Sequence, residues 1–174
     1  LCDLPGLGKG VRMGSKEPNV VHLMEICGTH TMSIARSGIR ELMPDNIKLI
    51  SGPGCPVCVT PVGFIDEAIW LAEEKGVTIT TFGDLVRVPG TEKSLAAARA
   101  GGARVQVVYS PIDAVTYAEE HPEEQVAFLS VGFETTTPSS CLAVEMAEKK
   151  GLTNFSLLTA NKTMPNAYAA LKGS

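Results

Sequence analysis

The sequence predicts an α/β protein, with parallel sheets covered by helices on both faces and two related α/β units of which the second is incomplete. Three observations lead there. Short apolar runs of strand length alternate with stretches of about ten to fourteen residues whose apolar positions recur with a helical period. Clusters of Gly, Pro and Asn punctuate that alternation at most of the switches. The pattern then restarts: at an offset of about 105 residues, Val21-His22-Leu23-Met24-Glu25-Ile26 overlies Val126-Ala127-Phe128-Leu129-Ser130-Val131, and Thr29-His30-Thr31 falls against Glu134-Thr135-Thr136. Helical crossovers are what parallel strands require, so this alternation points to a parallel sheet.

Taken in order, residues 1–20 carry four glycines plus Pro5 and Pro18 without any period, and read as an irregular leader. The first domain is expected over residues 21–120. It opens with an apolar strand, Val21 to Ile26, followed by a helix from Thr31 to Met43 that Pro44-Asp45-Asn46 ends. Next come strand Ile47 to Ile50, a Gly/Pro/Cys loop, helix Gly63 to Lys75, strand Val77 to Phe82, helix Thr91 to Ala100, strand Arg104 to Tyr109 and helix Ile112 to Glu120. Past His121-Pro122 a second, truncated domain is expected over residues 121–174. It holds strand Val126 to Val131, helix Pro138 to Lys150, strand Phe155 to Leu158 and an incipient helix, Pro165 to Leu171.

Composition narrows the function classes. The 174 residues are 44% apolar and 20% charged with net charge −4, enough to bury a core. No run reaches the roughly eighteen apolar residues a membrane helix needs. No Lys/Arg cluster offers a footprint for nucleic acid or an anionic membrane, so small molecules or protein partners are expected. Five cysteines are too few and too odd in number for a secreted disulfide scaffold, and no signal peptide opens the sequence. A cytoplasmic location follows as an expectation, in which the thiols serve reactivity, metal binding or plain burial.

The chemistry-bearing segments all fall on loops that leave the carboxyl ends of predicted strands, where open parallel sheets bind ligands. These are Cys27-Gly28-Thr29-His30, Ser51-Gly52-Pro53-Gly54-Cys55-Pro56-Val57-Cys58, Phe82-Gly83-Asp84 and Gly132-Phe133-Glu134-Thr135-Thr136. The two-residue spacing of Cys55 and Cys58 suits either a disulfide or chelation of one metal. With Cys27 and His30 they make three thiols and one imidazole, a set that fits tetrahedral zinc, an iron-thiolate site or redox chemistry. Glu134 reads as a carboxylate base or ligand, or as a charge at a helix start. Thr135 to Thr137 read as caps of that helix and Asp84 as a turn residue. His22 is placed in the core or at a sheet edge, Trp70 in the core, Cys141 on the apolar side of a helix and His121 in an exposed turn.

In this order, Cys27-Gly28-Thr29-His30-Thr31, Ser51-Gly52-Pro53-Gly54-Cys55-Pro56-Val57-Cys58-Val59-Thr60-Pro61, Thr80-Thr81-Phe82-Gly83-Asp84 and Gly132-Phe133-Glu134-Thr135-Thr136-Thr137 closely resemble the HypD family of hydrogenase maturation proteins. The resemblance runs from about Val20 to Leu171, nearly the whole chain but about half of a family member. It implies a scaffold for assembling the Fe(CN)2CO centre of nickel-iron hydrogenases, held with a HypC-type chaperone and supplied with cyanide by the HypE/HypF system. By that resemblance Cys27 ligates the iron, with Gly28 and Thr29 around it and His30 beside it. Cys55 and Cys58 form a redox dithiol, similar to the relay of ferredoxin-dependent thioredoxin reductase. Glu134, flanked by Phe133 and Thr135, closes the pocket. Soft thiolate suits such iron, and a dithiol delivers two electrons. Family members also carry a third domain with a 4Fe-4S cluster, whose ligands are absent from this sequence, and the chain is expected to be a truncated or split form. Two other readings stay open: a stand-alone thiol-disulfide oxidoreductase, and a zinc protein ligated by Cys27, His30, Cys55 and Cys58.

Overall fold

A computed structural model of the protein describes residues 20–171. All but the last residue of the expected leader, Cys2 included, lies outside them. The chain divides into two compact units, residues 1–53 and 54–174.

In the first unit, β1 (Val21–Glu25) is followed by α1 (Gly28–Arg36), α2 (Ile39–Leu42) and β2 (Ile47–Ser51). The two strands pair in parallel, from Val21 opposite Ile47 to Glu25 opposite Ser51. Where one helix was expected over 31–43 there are two. A turn at Ser37-Gly38 separates them, its N–H groups bonding back to Ser33 O and Ala35 O.

The second unit holds α3 (Val62–Glu74), β3 (Thr78–Thr81), a short 3-10 turn (Leu85–Arg87), α4 (Leu95–Ala100), β4 (Val105–Val107), α5 (Pro111–Glu120), β5 (Val126–Ser130), α6 (Thr137–Lys149), β6 (Phe155–Thr159) and α7 (Pro165–Leu171). Its strands lie in the order β4-β3-β5-β6, every pair parallel. The central strands β3 and β5 are buried at every position, as a sheet covered on both faces demands. On one face Ile65, Ala68 and Ile69 of α3 and Leu95 and Ala98 of α4 pack with Ile79, Ala127 and Leu129. On the other, Ala114 of α5 meets Phe128 and Val108, while Val115 packs with Ala143 and Ala147 of α6. The α/β class with helix-covered parallel sheets is therefore as the alternation predicted.

The division differs from the expected one. Strands on both sides of residue 120 share one sheet, with Thr78 registered against Val126, so 21–120 and 121–174 are not separate sheets. The ten residues of α5 serve as an ordinary crossover from β4 past β3 to β5, and the apparent restart at His121-Pro122 is the next strand of the same sheet. It is the first unit, with two strands, that is the smaller assembly. Three local expectations also change. Trp70 falls off the stripe formed by Phe64, Ile65, Ala68, Ile69 and Ala72 and is 49% exposed, with the Lys75 ammonium 4.9 Å from its ring. Cys141 of α6 is exposed. His121 is half-buried, stacked on Tyr117 with centroids 4.0 Å apart, because it closes the last turn of α5.

Candidate functional site

In the first unit, Cys27 is the residue at which β1 becomes α1. Its backbone is extended (φ −101, ψ 129), and its carbonyl accepts the first helical bond from Thr31 N–H at 3.1 Å. A side chain at this position lies at the amino end of α1, where the first-turn N–H groups have no intrahelical acceptor. Gly28, Thr29 and His30 form that turn, with His30 exposed. The strand end behind it is clamped. Glu25 Oε1 accepts from Thr31 Oγ1 at 2.6 Å, and Glu25 O accepts from Gly52 N at 2.7 Å. A Cβ on Gly52 would run into the Glu25 carbonyl, so only glycine lets the end of β2 approach this closely. The Thr31 hydroxyl holds the Glu25 carboxyl below the usual range; Ser51, Gly52 and the Arg40 charge act the same way, while partial enclosure opposes them.

In the second unit, Cys55 and Cys58 stand with their sulfurs 3.1 Å apart. The turn is tight: Cys58 N–H points to Cys55 Sγ at 3.4 Å, Val59 N–H donates to Cys55 O at 3.1 Å, and Thr60 Oγ1 donates to Pro56 O at 2.7 Å. Val57 packs against the α3 side of the core and anchors the loop, leaving Cys55 half-buried and Cys58 exposed. Gly54 precedes them at φ +101, a conformation that favours glycine, and a Cβ there would press on Cys58 Cβ at 3.2 Å.

The chain runs from β3 to β4 on one flank and crosses back to β5 on the other, so the sheet switches direction between β3 and β5. Such a point is where doubly wound sheets open a crevice. The Phe82-Gly83-Asp84 and Gly132 to Thr136 loops leave there, beside a cleft of about 230 Å³ lined by Phe82, Tyr109, Ser110, Ser130, Thr136 and Ser140 among others. Asp84 is a turn residue, its Oδ1 accepting from Leu85 N at 2.9 Å. Glu134 Oε1 accepts from Met164 N at 2.7 Å, so that oxygen ties down the lead-in to α7. Phe133 is half-buried and Thr135 exposed. The threonines close a turn where helix caps were expected: Thr136 N, Thr136 Oγ1 and Thr137 Oγ1 all donate to Phe133 O.

Cys27, Gly28, Thr29 and His30 thus belong to one unit and Cys55, Cys58, Phe133, Glu134 and Thr135 to the other. Among the described residues no group of three or more His, Cys, Asp and Glu is arranged to hold a metal ion, and no helix is long and apolar enough to cross a membrane. Sequence reasoning overlooked Tyr109, Ser110, Ser130 and Ser140 at the cleft. The signal was present in Ser110-Pro111, a cap and first helical residue directly after a strand, with Ser110 Oγ accepting from Ile112 N at 3.1 Å.

Comparison with known proteins shows the family. The HypD family model, described as the Hydrogenase formation hypA family, matches residues 7–174. "Hydrogenase maturation factor HypD" of Rhodobacter capsulatus is 45% identical over 96% of the chain and 47% of its own length. The protein of the same name from Azotobacter vinelandii is 49% identical over 86% of the chain and 40% of its own length. That from Escherichia coli (strain K12) is 45% identical over 78% of the chain and 36% of its own length. The chain spans somewhat under half the length of these curated relatives. It belongs to the HypD family of hydrogenase formation proteins.

Proposed function

We propose that the chain acts as a scaffold in assembling the Fe(CN)2CO centre of nickel-iron hydrogenase, with iron as its cargo and the Cys27 thiolate as the iron ligand. The observation that carries this reading is the position of Cys27 at the start of α1, with His30 in the same turn. A soft thiolate is the donor that low-spin iron with diatomic ligands takes. Gly28 and Thr29 bring backbone close to such cargo. A HypC-type chaperone supplies a further ligand, and the HypE/HypF system donates cyanide. Cys55 and Cys58 close to a disulfide and so release two electrons and two protons to the centre under assembly. Glu134, on the loop after β5 with Phe133 and Thr135, acts as a proton-handling group.

The test is anaerobic purification with a HypC-type partner, followed by metal analysis and infrared spectra in the cyanide and carbonyl stretching region. Bands are expected for the unaltered chain and not for Cys27→Ala; full iron loading of Cys27→Ala would overturn the assignment. The 3.1 Å approach of the Cys55 and Cys58 sulfurs favours a second reading, thiol-disulfide exchange without iron. Insulin reduction by the chain alone, lost in Cys58→Ser and indifferent to Cys27→Ala, would select that reading.

A further inference from the structure

Thr60 stands between the dithiol turn and α3, and its side chain reaches back into that turn. Residues 55–59 make one helical turn, closed by Val59 N–H on Cys55 O at 3.1 Å. Continued as a helix, it would give Pro56 O the N–H of Thr60 and Val57 O the N–H of residue 61. Residue 61 is proline, which has no N–H and turns the residue before it away from helical geometry. The Thr60 N–H goes instead to Val57 O, at 3.4 Å, and the Thr60 hydroxyl takes the Pro56 carbonyl at 2.7 Å. A side chain thus makes the bond that the backbone gives up, and the carbonyl it holds belongs to the residue next to Cys55.

We propose, resting on the reading of Cys55 and Cys58 as a redox pair, that Thr60 is a positioning residue for that pair. Its hydroxyl keeps the turn in the shape that brings the two sulfurs to 3.1 Å, the approach from which a disulfide forms. Side-chain rotation alone carries the sulfurs on to bonding distance, so one turn serves both the dithiol and the disulfide. Without the hydroxyl the reduced turn gains freedom, which disulfide formation must then remove. The oxidised turn carries its own cross-link and gains less. Loss of the hydroxyl therefore disfavours the oxidised pair.

Equilibration of the whole chain with glutathione buffers of varied ratio, without iron or air, tests this role. Two protein thiols and one oxidised glutathione give the Cys55–Cys58 disulfide and two reduced glutathiones, so the glutathione S–S bond breaks as the protein's forms and no other reactant is needed. Alkylation followed by the mass of the tryptic peptide 49–75, which carries these two cysteines and no others, reports the oxidised fraction. The equilibrium constant for oxidation is expected to fall about tenfold in Thr60→Val, the worth of one hydrogen bond, making the potential about 30 mV less negative. Thr60→Ser keeps the hydroxyl and is expected to stay within about twofold of the unaltered chain. Should valine unfold the chain, Thr60→Ala is expected to show the same fall. An unchanged or larger constant in the variants without the hydroxyl, or a fall in Thr60→Ser as large as theirs, would overturn the role of Thr60 and leave the redox pair standing. An unaltered chain that forms no Cys55–Cys58 disulfide at any ratio would overturn the redox reading and the positioning role together.

Discussion

The Glu134 carboxylate shows how a residue singled out for chemistry can be engaged by its own backbone. Its Oε1 accepts from Met164 N–H at 2.7 Å, across the loop that joins β6 to α7. Glu134→Ala is expected to speed exchange of the Met164 amide by about tenfold, the value of one hydrogen bond near 1.4 kcal/mol. Glu134→Gln keeps an acceptor oxygen and is expected to change that exchange less. Unchanged exchange in the alanine variant would show that the bond does not hold the loop. The same lesson applies at Asp66 of α3. It accepts from Thr91 N at 2.7 Å and Thr91 Oγ1 at 2.6 Å, and these bonds hold its carboxyl below the usual range. Residue identity marked both as polar and exposed; only the fold supplied their partners, from 30 and 25 residues away.

At the scale of elements, the clamp between β1 and α1 decides how firmly Cys27 is presented. Glu25 is lowered first by the Thr31 hydroxyl, and a carboxyl whose folded value is depressed stabilises the fold above its unfolded value, about 4.3 for glutamate. That contribution is lost as pH falls through the folded value. Exchange of the α1 amides Thr31 to Ala35, taken relative to the intrinsic rate at each pH, is thus expected to accelerate between about pH 5 and 3. In Thr31→Val it should already be faster at pH 7 and respond less to acid. Equal pH profiles for the two proteins would remove the clamp from the account. Much of this level was legible beforehand. Strand positions followed from β-branched and apolar runs, and Cys27 and Cys55-Cys58 were expected on strand-exit loops, where they are. Helix starts were less legible, because a start depends on which donor is satisfied. Thr91 looked like the beginning of α4, but it bonds Asp66, and Ser94 accepts from Ala97 N at 3.3 Å as the cap. Trp70 was misplaced because a helix with apolar residues on most positions has no unique buried stripe until the sheet beneath it is known.

For the whole molecule, strand order was the part the sequence could not carry. Each βαβ repeat looks alike along the chain, and only the pairing of Thr78 with Val126 shows that β5 returns beside β3. A polar network at the amino ends of these strands holds that return in place. Glu124, just before β5, accepts from the Thr78 hydroxyl at the start of β3 and from Tyr117 Oη of α5 at 3.3 Å, and lies 3.5 Å from Arg104, whose other nitrogen bonds Gly76 O. Beside it, Asn154 Nδ2 donates to the carbonyls of Ala118, His121 and Glu124, bringing the lead-in to β6 into the same knot. The Thr78 hydroxyl is the main cause holding the Glu124 carboxyl low; burial opposes it, and Arg104, Tyr117 and His121 add to the lowering. By the same sign, Glu124 stabilises the four-stranded unit fully above about pH 4.5 and ceases to do so as pH falls through its depressed folded value. Glu124→Gln is expected to lose roughly 1.5 to 3 kcal/mol at pH 7, the range for hydrogen bonds to a charged group. Its denaturation midpoint should converge on that of the unaltered chain as both are taken toward pH 2. A variant that loses nothing at neutral pH, or a gap that widens in acid, would show that the β3 to β5 return is held by packing alone.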